Sequence, residues 1–225
     1  MLAYHYYCCG NGPQFSNSSM FQIEVQRNVA RKLQTGAMMT ETYAPNKFDK
    51  FYLKDGVADH CDKYVQSWAT WEWKSFCREN NETIHGDSQW AEYGSCKTGS
   101  GLPWNQTTHR PIKSKYLART YARAVAGNVT SMQFNAENGE FMLKYNLDTT
   151  ITMPTEIFIS NEYYYMSKGP DKHGAFVNGK PIVNIMPKRC VKSQFNDEEN
   201  VLYILANKNE ACKYVYGEEI TITII

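Results

Sequence analysis

Apolar and polar positions keep one rhythm up to about residue 127 and another after it. Residues 1 to 9 are an aromatic and apolar run that predicts a buried strand. Beyond a loop rich in Gly, Pro, Asn and Ser, Ser19 with Gln22 fits a Ser-x-x-Gln capping box. Phe21, Val25, Val29 and Leu33 then recur every fourth residue, which predicts a helix ending before Gly36. Ala37 to Glu41 follows as a short strand buried on both faces, with Glu41 where it emerges. Pro45 and Asp55-Gly56 signal a loop, and Val57, Ala58, Cys61, Tyr64 and Val65 form a second helical stripe. Ser67 to Trp73 reads as a third strand. Strands alternating with helices over short connections imply parallel strands joined by right-handed crossovers. In parallel α/β architectures the C-terminal strand ends carry the chemistry. Here those ends bear His5 and Tyr7, Glu41, and Trp71.

From Lys74 to Lys115 the chain is polar and irregular, a length that marks a functional or disulfide-pinned loop. Tyr116 to Ala126 predicts a short helix leaving the first domain. After Gly127 the period becomes two. Phe141, Leu143, Tyr145 and Leu147 alternate, as do Ile157 with Ile159 and Ile220 with Ile222 and Ile224, while Val201 to Ala206 is continuously apolar. Asn138-Gly139 and Asn178-Gly179 are strong turn dipeptides. Tyr163-Tyr164-Tyr165 reads as part of a strand. The expected fold is therefore α/β over 1–126 and an antiparallel β-sandwich over 127–225.

Composition narrows the function. The 24 Lys and Arg and 23 Asp and Glu nearly cancel and form no basic block, which argues against nucleic acid as a partner. No apolar run is long enough to cross a bilayer. Four acceptor sequons begin at Asn17, Asn81, Asn105 and Asn128 and point to the secretory pathway. Among the seven cysteines, Cys77 with Cys96 and Cys190 with Cys212 are candidate local disulfides, and the odd count leaves a thiol over. No spacing suits a zinc site, and neither a metal nor another cofactor is expected. Residues 1 to 8 lack the basic start, apolar middle and cleavage site of a signal peptide and read as a strand already under way, so the expectation is a sequence that starts inside a longer protein. Glu41 itself admits two readings, a loop acid bonding to backbone or a group that does chemistry. His5 and Tyr7 stay open between site residues and core aromatics, while Trp68 and Trp73 read as packing.

The run Arg119-Thr-Tyr-Ala-Arg-Ala-Val-Ala-Gly127 continuing through Phe134, Phe141-Met-Leu-Lys-Tyr145 and Pro154-Thr-Glu-Ile-Phe-Ile159 resembles the junction and opening sandwich strands of the endoglycosylceramidase-like branch of glycoside hydrolase family 5. Upstream, His5-Tyr6-Tyr7, Met39-Thr-Glu41 and Ser67 to Lys74 are similar to the sixth, seventh and eighth strands of that family's (β/α)8 barrel. The resemblance spans nearly the whole chain. It implies the last part of a TIM barrel followed by a β-sandwich, and a retaining β-glycosidase that separates sugar from ceramide in glycosphingolipids. Glu41 would be the nucleophile, Tyr7 would hydrogen-bond it, His5 would contact the substrate, and Trp71 would floor the reacting sugar. The expected location is extracellular or lysosomal, with at most peripheral contact with lipid surfaces.

One departure matters. The family's proton donor lies in an Asn-Glu-Pro type motif on the fourth strand, and no such motif occurs here. Asn81-Glu82, Asn161-Glu162 and Asn209-Glu210 fall in the wrong segments, and strand alternation turns Glu72 away from Trp71. The chain alone is therefore expected to be inactive. The alternatives are a β-glucosidase acting on glucosylceramide or a steryl glucoside, and a non-catalytic carbohydrate- or lipid-binding β-sandwich module.

Overall fold

The structure is a computed structural model. It describes residues 1–6, 14–43, 57–71, 76–77, 83–85, 111–165, 176–177, 180–181, 183–186, 191–206 and 216–224. The chain divides into two compact units, Met1–Leu117 and Ala118–Ile225.

The first unit opens with β1 (Leu2–His5), α1 (Gln14–Lys32), β2 (Ala37–Tyr43), α2 (Val57–Lys63) and β3 (Ser67–Trp71). The three strands form one sheet with β2 in the centre, and both pairings are parallel. This is the arrangement that the alternation of strands and helices predicts. Ile23 of α1, Met39 of β2 and Cys61 of α2 form a fully buried cluster, with Tyr4, Tyr6, Val57, Tyr64 and Trp68 packed against it. The helices thus cover one face of the sheet, and Trp68 packs as expected. Gln66, itself buried, ties the layers together. Its Oε1 accepts from the Tyr4 hydroxyl at 2.5 Å and its Nε2 donates to the Ile23 carbonyl at 2.8 Å.

Two helix expectations are corrected. Helix α1 begins at Gln14, so Ser19 lies inside it and does not cap it. Pro13, just ahead in sequence, is the residue type that suits a helix entry. The stripe of every fourth residue is also the wrong face. Phe21 and Leu33 are each 61 % exposed and Val29 is exposed too, whereas Ile23 and Ala30 are buried. A step of four outruns the 3.6-residue turn, so such a stripe drifts around the helix. These buried positions are seven apart, and Arg27 between them lies 5.2 Å over the Tyr64 ring.

Two short strands, β4 (Phe76–Cys77) and β5 (Thr83–His85), pair with each other, and α3 (Pro111–Leu117) closes the unit. The expected helix over 116–126 is corrected as well. Beyond α3 the chain forms β6 (Tyr121–Ala124), antiparallel to β9 (Thr155–Phe158). Cross-strand partners such as Ile157 opposite Ala122 outweigh the helix propensity of the Ala and Arg residues. Strand pairing thus starts before Gly127, and the structural division at Leu117 precedes the one drawn in the sequence.

The second unit continues through β7 (Gly127–Phe134) and β8 (Phe141–Leu147) before β9, followed by a π-helical turn at Asn161–Tyr165. The short strands β10 (Phe176–Val177) and β11 (Lys180–Pro181) pair antiparallel, and the turn expected at Asn178-Gly179 lies outside the described residues. Then come β12 (Val183–Met186), β13 (Val191–Asn196), β14 (Val201–Ala206) and β15 (Glu219–Ile224). They build two four-stranded antiparallel sheets, ordered β12-β15-β8-β7 and β13-β14-β9-β6. Phe141, Leu143, Tyr145 and Leu147 on β8 and Ile220, Ile222 and Ile224 on β15 are buried, as the period-two pattern requires. Each such side chain stabilises by roughly 1.5–3 kcal/mol.

The Arg119–Gly127 motif anchors this unit. Arg119 is buried, stacks its guanidinium 4.9 Å over the Phe134 ring and donates to the Phe134 carbonyl at 3.1 Å. The Thr120 hydroxyl donates to the Tyr165 hydroxyl at 2.9 Å, which donates in turn to the Gly139 carbonyl at 2.5 Å. Gly139 has φ +84°, and a Cβ there would sit 2.8 Å from that of Tyr164, so only glycine fits this turn beneath the tyrosines. The Tyr163-Tyr164-Tyr165 run is therefore a helical turn and not a strand, because its rings lock the hairpin of β7 and β8.

Three outcomes follow. Replacing Gln66 by Leu orphans the Tyr4 hydroxyl and removes the extra bond to the Ile23 carbonyl, and should lower stability by about 1–3 kcal/mol in urea unfolding. Tyr165→Phe should cost a similar amount. Burial also pushes the Tyr165 phenol well above its usual pKa, against a smaller downward pull from the Thr120 hydrogen bond, and burial with the nearby Cys61 does the same for Tyr4. Both fold as neutral phenols, so their contribution is complete below the unfolded tyrosine pKa of about 10 and is lost as pH rises from there toward the folded values. Stability followed by circular dichroism should fall above about pH 10, less steeply in Tyr165→Phe.

Candidate active site

The C-terminal ends of β1, β2 and β3 lie along one edge of the parallel sheet, and β2 controls what is displayed there. In β1, Tyr4 and Tyr6 turn to the helix-covered face and His5 to the other. In β2, Met39 turns to the helices, so strict alternation would send Glu41 the same way. It does not. The register runs Tyr4 with Met39 and then His5 with Glu41, skipping Thr40. Against β3 it runs Met39 with Trp68 and then Thr42 with Thr70, again with one residue too many on β2. This bulge in the central strand reverses the phase. Glu41 emerges on the face of His5, and Thr42, 2 % exposed, takes the buried side.

His5 Nδ1 and Glu41 Oε2 stand 3.9 Å apart, a contact that becomes an ion pair when the imidazole is protonated. The side chains are 54 % and 30 % exposed. The Tyr6 amide donates to the Glu41 carbonyl at 3.1 Å and the Thr40 hydroxyl donates to the Tyr4 carbonyl at 3.2 Å, so the backbone at the bulge is tied to β1. The carboxylate thus hangs from a fixed strand, not a loop.

Of the four residues singled out in the sequence, the structure brings together His5 and Glu41. Trp71 is the last residue of β3 and sits in register with Tyr43 at the end of β2, two residues beyond Glu41. Tyr7 lies outside the described residues, as do Cys96, Cys190 and Cys212 of the expected disulfides. Glu162, one of the excluded Asn-Glu acids, is exposed on the π-helical turn of the second unit. What the sequence reading missed is the bulge at Thr40-Glu41 and the Thr40 hydroxyl bond that ties it to β1. Its trace in the sequence is the spacing of the buried positions, Met39 and Thr42, which breaks period two. Among the described residues no group of three or more His, Cys, Asp or Glu is placed to hold a metal ion. No helix of the described residues is long and apolar enough to cross a membrane.

With this geometry in place, residues 119–224 match the glycoside hydrolase family 5 C-terminal domain. The expected resemblance to the endoglycosylceramidase-like branch is borne out. It is 28 % identical over 174 residues to the endoglycoceramidase of Cyanea nozakii, covering 76 % of this chain and 31 % of that protein. It is 35 % identical over 77 residues to endoglycoceramidase I of Rhodococcus hoagii, covering 34 % of this chain and 14 % of that protein. The chain thus spans less than a third of these curated relatives. Among solved structures, the lactosyl-enzyme intermediate of endo-glycoceramidase II from Rhodococcus sp. superposes with a TM-score of 0.59 at 14 % identity, over 99 % of this chain and 41 % of that one. Sterylglucosidase 1 of Cryptococcus neoformans superposes with a TM-score of 0.63 at 11 % identity, over 98 % of this chain and 36 % of that one.

A part-exposed acid serving chemistry and an acid capping the backbone differ in what their removal does to stability. Glu41→Gln should change the free energy of unfolding by less than about 1 kcal/mol, since an exposed ion pair contributes little. A loss of 2 kcal/mol or more would mark Glu41 as a structural cap.

Proposed function

We propose that this chain carries the nucleophile side of a retaining β-glycosidase that cleaves the bond between sugar and ceramide in glycosphingolipids. In this reading the first unit is the last part of a (β/α)8 barrel, and the two four-stranded sheets of the second form its β-sandwich. Glu41 is the nucleophile. One of its oxygens attacks the anomeric carbon while the bond to the lipid oxygen breaks, giving a glycosyl ester that water later hydrolyses. His5 orients that carboxylate or the sugar, Tyr7 hydrogen-bonds it, and Trp71 lies under the reacting ring. The leaving oxygen takes its proton from a second carboxyl group roughly 5–5.5 Å from the first, the spacing retention requires. The family pattern assigns that donor to an Asn-Glu-Pro type motif that this sequence lacks, so the acid comes from another segment. Placement in the secretory pathway, outside the cell or in the lysosome, fits the four sequons.

The observation that carries the reading is the bulge in β2, which turns a single carboxylate out of the helix-packed face toward His5. Bulges of this kind re-aim side chains beside active sites. The similarity to endoglycoceramidases supports ceramide as the leaving group. The fold likeness to a sterylglucosidase supports a second reading that keeps Glu41 and its chemistry and replaces ceramide by a sterol.

The test uses this sequence within a polypeptide extended upstream to the length of the curated relatives. A 2-deoxy-2-fluoro-β-glycoside with a good leaving group should label Glu41, located by peptide mass spectrometry. Glu41→Gln should lower kcat on a fluorescent ceramide glycoside by about 10⁴-fold or more. Labelling of another residue would overturn the assignment. The 225-residue chain by itself should give no turnover of the same substrate.

A further inference from the structure

We propose that Asn128 is an N-glycosylation site whose glycan covers the open edge of the β12-β15-β8-β7 sheet. The sequence offers four acceptor sequons, and the structure treats them differently. Asn17-Ser18-Ser19 runs inside helix α1, and those at Asn81 and Asn105 lie outside the described residues. Asn128-Val129-Thr130 sits on β7 with Asn128 and Thr130 exposed and Val129 half-buried. The acceptor amide and the hydroxyl two residues on are therefore both open to solvent. The register against β8 slips between Val129 and Ser131, so Thr130 stands in a bulge without a cross-strand partner.

β7 also needs what a glycan supplies. It ends the sheet order, and among the described residues it pairs on one side only. Apart from the Phe134 carbonyl, which Arg119 occupies, no described partner takes the backbone donors and acceptors on its outer side, which form a template for pairing with another chain. Natural edges are blunted by charges, by proline or by bulges. Gly-Asn-Val-Thr-Ser-Met-Gln-Phe contains no charged residue and no proline, and its one bulge falls at the sequon. A bulky hydrated sugar on Asn128 would keep a second edge away for most of that length. The same reasoning separates this sequon from a chance match, which has no reason to coincide with the one bulge of an edge strand.

The transfer joins the Asn128 side-chain nitrogen to the anomeric carbon of a lipid-linked oligosaccharide diphosphate. The bond from that carbon to the phosphate oxygen breaks, the lipid diphosphate leaves with the electron pair, and the amide proton passes to a base. The proposal rests on secretory placement and is independent of the role of Glu41.

The test is secretion of the 225-residue chain from a eukaryotic host, followed by release of its glycans with a peptide N-glycosidase in heavy-oxygen water. The Asn128 peptide should return as a heavy-oxygen-tagged aspartate in most copies. Asn128→Gln should lose one glycan in intact mass and show a several-fold larger aggregate fraction in light scattering. Gln133→Lys added to it should reverse that increase by guarding the edge with a charge. If Asn128→Gln does not fold, Thr130→Val removes the sequon while leaving a β-branched residue in the strand, and the same comparison applies. An unmodified Asn128, whether or not the other sequons carry sugar, overturns the site. Occupancy with no change in aggregation for either variant overturns the edge role.

Discussion

The extra residue in β2 is the feature on which the site depends. A strand in a parallel sheet is fixed by its partners on both sides, so it cannot rotate to present a chosen side chain. Met39 is held by Ile23 and Cys61 in the helix-packed layer, and with regular pleating Glu41 would follow it into that layer. A carboxylate there would lose its hydration without a partner, a large cost. Inserting one residue between Met39 and Thr42 lets both stay on the helix side while Glu41 leaves it. The register is therefore a joint product of an apolar anchor below and a polar residue that must face the other way.

What holds the bulge in place is local and redundant. The Tyr6 amide and the Thr40 hydroxyl bind β2 to β1 on either side of Glu41, and Gln66 fixes β1 to α1 at the beginning of β3. These bonds are individually modest, about 1 kcal/mol net each. Together they remove the alternative registers. The second unit uses the same device at its entry, where Arg119 and Thr120 satisfy the Phe134 carbonyl and the Tyr165 hydroxyl and so fix the β7 to β8 hairpin.

Period and order were legible in the sequence; phase was not. The parallel strand order, the alternating β8 and β15 and the Asn138-Gly139 turn all follow from repeats that many residues share, and packing reinforces each of them. Helix α1 shows the limit, because Phe21, Val25, Val29 and Leu33 form a fair stripe while Ile23 and Ala30 are the residues that are buried. A surface helix with apolar residues on more than one side leaves the choice of face to its neighbours. Tyr121–Ala124 failed for a related reason, since Ala and Arg favour a helix locally and the partner strand lies more than thirty residues on, at Glu156 to Phe158. At the site, the positions of His5, Glu41 and Trp71 at strand ends followed from the element order. The bulge did not, as it depends on two pairings at once.

The exposure of Glu41 separates two requirements for a nucleophile. Orientation is met, because the carboxylate is carried by the central strand and faces His5. Electrostatic strength is a different matter, since an attacking carboxylate gains from a site that sheds bulk water and replaces it with fixed dipoles. At 30 % exposure the Glu41 side chain is still partly open to solvent, with the His5 imidazole 3.9 Å away. If Glu41 is the nucleophile proposed above, its position is set by three strands and their helices, while its reactivity would depend on what displaces water from the rim. A sugar ring stacked there would itself displace much of the water. Binding and activation of the carboxylate would then be a single event, and the strands would keep an acid that is stable and inert until a glycoside arrives.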